Sequence, residues 1–208
     1  MELQYYGANC ITIANKQARI VIDDNLSELG AKSIAKPGDI TLFTSAHGDP
    51  VATSKIVIDQ PGEYEVSGVS IYGIPARAHI DEEKQKTATM YKIILDDFRL
   101  LVTGHVYPEL SEAQLEAIGM VDVMIVPVGG NGYTLDGIGA LKLIKKVEPK
   151  LIIPTHFDVA GLTFAVPQQS LEQALQALSM EPKETVSKLK LKAGDLGDAT
   201  QLIVLEQS

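Results

Sequence analysis

The sequence predicts a mixed α/β fold of the α+β kind. Two observations carry this. The first hundred residues break into short β-branched runs separated by turn residues, and the remainder alternates helix-period with strand-period segments. At 208 residues and 45% apolar composition the chain fits one domain spanning 1–208. A chain of that size buries about 70% of its unfolded surface. No linker, low-complexity tract or fixed-period repeat divides it.

In the first half, Ile11-Thr12-Ile13, Ala18-Arg19-Ile20-Val21-Ile22 and Ile40-Thr41-Leu42-Phe43 read as strands. Ile56-Val57-Ile58 stops at the turn signal Pro61-Gly62. Val69-Ser70-Ile71-Tyr72-Gly73-Ile74 alternates at period two. Tyr91-Lys92-Ile93-Ile94-Leu95 and Arg99-Leu100-Leu101-Val102 flank Asp96-Asp97, a hairpin signal.

In the second half, Ser111 and Gln114 form a capping box with Leu110 and Leu115 at the staple positions, opening a short helix through Ile118. Residues 121–128 are a buried strand ending in Gly129-Gly130. Thr134 is the expected cap of a helix whose Ile138, Leu141, Ile144 and Val147 share a face and which stops before Pro149. Leu151-Ile152-Ile153 is a strand that ends at Pro154-Thr155-His156. Ser170 and Gln173 repeat the capping box, and Lys188-Leu189-Lys190-Leu191-Lys192 and Leu202-Ile203-Val204-Leu205 close with strands.

Composition excludes some functions. A formal net charge of −9 argues against a nucleic-acid surface, because phosphate contacts need a basic face. A small-molecule substrate or ligand suits it better. The single cysteine, Cys10, cannot form an internal disulfide, which points to a reducing compartment and a cytoplasmic location. Met1-Glu2-Leu3-Gln4 lacks the basic region and long apolar run of a signal peptide. No stretch approaches the ~20 apolar residues of a membrane span. An oligomer is open to the chain through an edge strand or an exposed helix.

The chemistry concentrates in four histidines, His47, His79, His105 and His156. Three of them, His47, His105 and His156, directly follow strand-like runs, where a sheet presents reactive groups. Neutral imidazole is the commonest transition-metal ligand, and Asp49 adds an oxygen donor beside His47. A lone histidine is more often a surface or capping group, so the weight lies in three strand ends converging. His79 sits in a charged loop, residues 77–87. Gly129-Gly130-Asn131-Gly132 lets backbone approach a ligand closely, though such loops more often only connect. Asp23 and Asp24 read as turn residues after a strand, Cys10 as core, and the lysines from 188 to 192 as the solvated face of an edge strand.

Thr44-Ser45-Ala46-His47-Gly48-Asp49-Pro50 resembles the H-x-H-x-D-H motif of the metallo-β-lactamase superfamily, with Ser45 and Pro50 in two histidine positions. Tyr5-Tyr6-Gly7-Ala8-Asn9-Cys10, Ile20-Val21-Ile22-Asp23, Gln60-Pro61-Gly62-Glu63-Tyr64-Glu65-Val66, Pro127-Val128-Gly129-Gly130 and Pro154-Thr155-His156-Phe157 follow in the family's order. The chain is similar over nearly its whole length to the small metal-dependent hydrolases of that superfamily, nearest in pattern to the L-ascorbate-6-phosphate lactonase-like branch. The resemblance implies a four-layer αββα sandwich with a metal site along one edge of the two sheets. It implies His47, Asp49, His79, His105 and His156 as candidate ligands, Asp49 as ligand or general base, and Asn131 and Tyr133 at the substrate.

The departures matter equally. Ala8 replaces an early histidine, His79 is one residue out of register, and His105 stands where the family has a bridging carboxylate. Two metals need about six protein donors, and an imidazole is a poor bridge. The expectation is therefore one zinc or manganese ion at most, or none. With one ion, the chain reads as a hydrolase of a small ester, lactone or phosphate ester. With none, it reads as a binding or interaction protein that keeps the fold.

Overall fold

The computed structural model describes residues 1–47 and 54–208. The first sheet begins with β1 Glu2–Gly7, β2 Cys10–Ala14, β3 Arg19–Ile22, β4 Ile40–Leu42 and β5 Ile56–Ile58. A second sheet begins with β6 Gly62–Val66, β7 Val69–Ala76, β8 Ala88–Leu95 and β9 Phe98–Val102. The chain then alternates through α1 Glu112–Ile118, β10 Val123–Pro127, α2 Gly137–Val147, β11 Leu151–Thr155 and α3 Leu171–Leu178. It ends with β12 Glu184–Val186, β13 Leu189–Lys190 and β14 Gln201–Leu205.

The sheet orders are β13-β1-β2-β3-β4-β5 and β12-β14-β11-β10-β9-β8-β7-β6. Side chains from both sheets share one buried core, among them Tyr5, Ile13, Leu42, Ile71, Tyr91 and Ile125. Each sheet changes character along its length. The run from β6 to β9 is antiparallel, with tight turns joining β6 to β7 and β8 to β9 and the longer loop of residues 77–87 joining β7 to β8. Asp96 and Asp97 form the expected two-residue hairpin, with Leu95 opposite Phe98 and Asp96 at φ 53°. The run β9-β10-β11-β14 is parallel, which requires crossovers, and α1 and α2 supply the first two. β10 and β11 are buried at every position, which is why they read as unbroken apolar runs.

The fold class is as the sequence predicts, with differences in detail. β-branched runs do not mark β1 or β6. β1 instead alternates, with Leu3 and Tyr5 inward and Glu2, Gln4 and Tyr6 less buried. Both capping boxes form as expected, at Ser111–Gln114 and Ser170–Gln173. The cap of α2 is Asp136 rather than Thr134: its carboxylate accepts the Gly139 N–H at 2.7 Å. The buried face of α2 carries Ala140, Leu143, Ile144 and Val147, while Ile138 is exposed. Close packing on α3 sets this rotation, since a Cβ on Gly137 would overlap the Ala174 carbonyl. The helices gather against the second sheet, with α1 on β7 and α2 on β10. Beside the first sheet, the 3₁₀ turn Leu26–Leu29 is the one helical element among the described residues.

A buried carboxylate ties the strand ends opposite the loops that carry the histidines. Asp122 accepts the Arg99 backbone N–H at 3.0 Å and the guanidinium at 2.8 and 2.9 Å, with Lys150 Nζ at 3.5 Å. Burial alone would raise its pKa, but the Arg99 bonds overcome this and hold it below the usual carboxylate range. Its stabilising contribution is therefore present at neutral pH and disappears as pH falls below about 4. Asp122→Ala is expected to cost about 2–3 kcal/mol in urea unfolding at pH 7. The gap from wild type should narrow in acid, and a cost that did not depend on pH would contradict this account.

Candidate functional site

Four strand ends and one turn meet at a single edge. β3 runs into Asp23, β4 into Thr44 and Ser45, β9 into Gly104 and His105, and β11 into His156, while Ala8 and Asn9 form the turn between β1 and β2. They enclose a cleft of about 400 Å³ that residues 163–166 and Gln168 help to line.

Local chemistry explains the convergence. Gly104 has φ 62°, and a Cβ there would collide with the Thr44 side chain, so only glycine lets β9 end against β4. Thr44 donates its backbone N–H and hydroxyl to Asp23 at 2.7 and 2.6 Å. Asp23 is thus a buried anchor lining the cleft, not merely a turn residue. Asn9 lies across the gap between the sheets. Its Oδ1 accepts the Thr155 hydroxyl at 3.0 Å, and its Nδ2 is 3.1 Å from His105 Nε2. The His156 backbone N–H donates to the Ala8 carbonyl at 2.7 Å, and His156 Nδ1 is 3.0 Å from Gln168 Oε1.

His105 and His156 are neighbours, with ring centroids 4.6 Å apart and planes at 84°. Tyr133 stands edge-on to His105 at 5.0 Å, and Phe164 flanks His156 at 5.3 Å. Burial pushes the His156 pKa down to about 4, against a smaller opposing effect of Gln168. Burial also holds His105 well below its usual range, with His156 and then His79 adding to the shift. Both imidazoles are therefore neutral at pH 7. Burial raises Asp23 to about 6, although the Thr44 hydroxyl and N–H, Asn9 and His47 pull the other way.

Of the expected metal ligands, the structure brings His105 and His156 into the cleft. His47 stacks on Phe43 at 3.8 Å, with Nε2 3.3 Å from Asp59 Oδ2, and the described cleft lining passes through Ser45 and Ala46 without it. His79 is the cross-strand neighbour of His105, donating its backbone N–H to the His105 carbonyl at 2.7 Å. Its Nδ1 is buried without a partner and its ring faces Tyr107 at 6.1 Å. Asp49 lies outside the described residues. Of the two expected substrate contacts, Tyr133 lines the cleft. Asn131 instead donates to the Pro167 carbonyl, holding its loop against the segment that covers the cleft. Asn9 and Gln168 are the site residues that a search for metal donors misses, and Asp23 is one whose place after a strand marked it only as a turn. Asn9 carried a faint signal, standing beside the vacated position Ala8.

Donor chemistry limits what the cleft can hold. Among the described residues, no group of three or more His, Cys, Asp or Glu side chains is placed to hold a metal ion. The cleft imidazoles could take part in holding an ion, with other positions filled by water, by cleft carboxylates or by groups outside the described residues.

Comparison with known proteins places the chain. The family described as beta-lactamase superfamily domain matches residues 2–156. A UPF0173 metal-dependent hydrolase of Thermococcus onnurineus is 26% identical, covering 81% of this chain and 90% of that protein. A second, from Alkaliphilus metalliredigens, is 24% identical, covering 83% and 92%. Among solved structures, a metallo-beta-lactamase superfamily protein of Thermotoga maritima superposes with a TM-score of 0.76 at 22% identity, covering 99% of this chain and 98% of that one. Igni18, a metallo hydrolase of Ignicoccus hospitalis, gives 0.61 at 19% identity, covering 92% and 99%. At these identities the structural likeness shows the fold.

The raised Asp23 pKa has a direct consequence for stability. A carboxyl group that titrates near 6 in the fold and near 3.8 when unfolded favours folding fully in acid. That contribution is lost as pH rises through the folded value. Wild type should therefore lose stability relative to Asp23→Asn between pH 4 and 6, by on the order of 2–3 kcal/mol. Urea midpoints of both proteins across that window measure it; parallel curves would overturn the assignment.

Proposed function

The chain belongs to the beta-lactamase superfamily domain family, and from that premise we propose that it is a small-molecule hydrolase working at this cleft with one metal ion at most. The substrate class we assign is a small ester, lactone or phosphate ester. The carrying observation is the pair of neutral imidazoles, His105 and His156, between the strand ends. The metal-dependent hydrolases among its relatives support the reading.

A bound ion would polarise the scissile group and acidify a water. The chain's own contribution is orientation and proton handling. His156, neutral at pH 7, can accept a proton or offer its lone pair, and Gln168 holds its ring. Asn9 holds His105, while Tyr133 and Phe164 give the cleft apolar walls beside the imidazoles. In this reading Asp49 serves as a further ligand or as general base. The single cysteine favours a cytoplasmic setting, and among the described residues no helix is long and apolar enough to cross a membrane.

A second reading is favoured by one observation: among the described residues no three His, Cys, Asp or Glu side chains group to hold an ion, and Asn9 occupies the Nε2 of one cleft imidazole. On that reading the cleft binds a small polar ligand without hydrolysing it. Metal analysis after purification without added metal, in wild type and His156→Ala, separates the two. The hydrolase reading expects up to one ion per chain in wild type and a loss of about tenfold or more in metal and in turnover for the variant. Turnover is read with activated ester, lactone and phosphodiester substrates in the presence of zinc or manganese. Equal near-zero metal in both proteins, with no turnover, would retire the hydrolase reading and leave the binding one.

A further inference from the structure

The two cleft imidazoles look alike but are held differently. Gln168 donates its Nε2 to the Val166 carbonyl at 2.6 Å, which fixes the orientation of the amide. The atom left facing His156 Nδ1, at 3.0 Å, is Oε1. An amide oxygen only accepts, so Nδ1 carries the ring proton of the neutral imidazole and Nε2 carries the lone pair. Nε2 has no protein partner among the described residues and is not among the buried polar atoms lacking one, so it is open to the cleft that His156 lines. Gly129 makes this placement possible. A Cβ there would overlap both Gln168 Oε1 and the His156 carbonyl.

His105 is held in the opposite sense. Asn9 accepts the Thr155 hydroxyl through Oδ1, so its Nδ2 is the group facing His105 Nε2. That nitrogen only donates, so it occupies the Nε2 lone pair. The remaining His105 nitrogen, Nδ1, then bears the proton and is buried without a partner.

We infer that Gln168 is a positioning residue that presents His156 Nε2 as the one available imidazole lone pair of the cleft, while Asn9 withholds that of His105. The site then addresses a single electron-pair acceptor through one nitrogen, either the proton of a water or hydroxyl group or one Lewis-acidic cation. This rests on the cleft being the working site, and it deepens that reading by making the pair asymmetric.

The test is the tautomer state, read by two-bond ¹H–¹⁵N correlation on full-length protein labelled with ¹⁵N-histidine at neutral pH. Wild type should show His156 protonated on Nδ1 with an unprotonated Nε2. Added zinc should shift His156 Nε2 and leave His105 Nε2 in place. Gln168→Leu should lose the Nδ1–H signature and give mixed tautomers at His156. Gln168→Glu should keep the Nδ1–H signature, because a carboxylate oxygen still accepts from Nδ1 although the bond to the Val166 carbonyl is lost. A wild-type His156 protonated on Nε2, an unchanged tautomer in Gln168→Leu, or equal zinc shifts at both histidines would each overturn the inference. Should Gln168→Leu fail to fold, the wild-type spectrum and Gln168→Glu decide. The expected tautomers without turnover would retire the hydrolase proposal alone, whereas a reversed tautomer would retire this inference whatever the turnover.

Discussion

The Asn9 side chain joins the two sheets where the cleft forms, and much of the site depends on that join. One amide reaches Thr155 at the end of β11 and His105 beyond β9, and the neighbouring Ala8 carbonyl takes the His156 N–H. These bonds cross from a turn of the first sheet to two strand ends of the second. Buried amides are costly unless satisfied, so each partner restricts the others. Asp23 extends the network through Thr44 to the end of β4. The positions of His105 and His156 follow from this framework as much as from their own strands.

The same framework sets the chemistry. Burial that would be a liability for a charged group keeps both imidazoles neutral, the form in which nitrogen can act as ligand or base. It also separates roles among histidines that sequence alone treats as equivalents. His47 stacks on Phe43 with Asp59 beside it, and His79 lies behind His105. Strand-end placement collected the candidates, and the hydrogen-bond partners decided which of them face the cleft.

The fold was largely legible because apolar periodicity and capping chemistry are local signals. The all-buried β10 and β11, the Asp96-Asp97 hairpin and the two Ser–Gln capping boxes all have short sequence signatures. β1 was less legible because its inward positions alternate with Glu2, Gln4 and Tyr6, and the α2 face was misjudged because packing on α3 sets its rotation. The site was legible only as a place. His105 and His156 could be named from their positions and Tyr133 from the family resemblance, but Asn9 and Gln168 could not. Their importance comes from partners 96 and 146 residues away for Asn9 and from an amide orientation set by Val166 for Gln168. No short motif records such contacts.

The Asn9–Thr155 bond, closing a span of 146 residues, also bears on how the chain acquires its site. Few of the cleft's contacts are local, since its lining runs from Ala8 to Gln168. Contacts of that separation are repaid only after a large loop-closure entropy has been spent, which makes such topologies slow to fold. The cleft should therefore belong to the late, cooperative part of folding. A partly folded chain could keep its β6–β9 meander and still have no site.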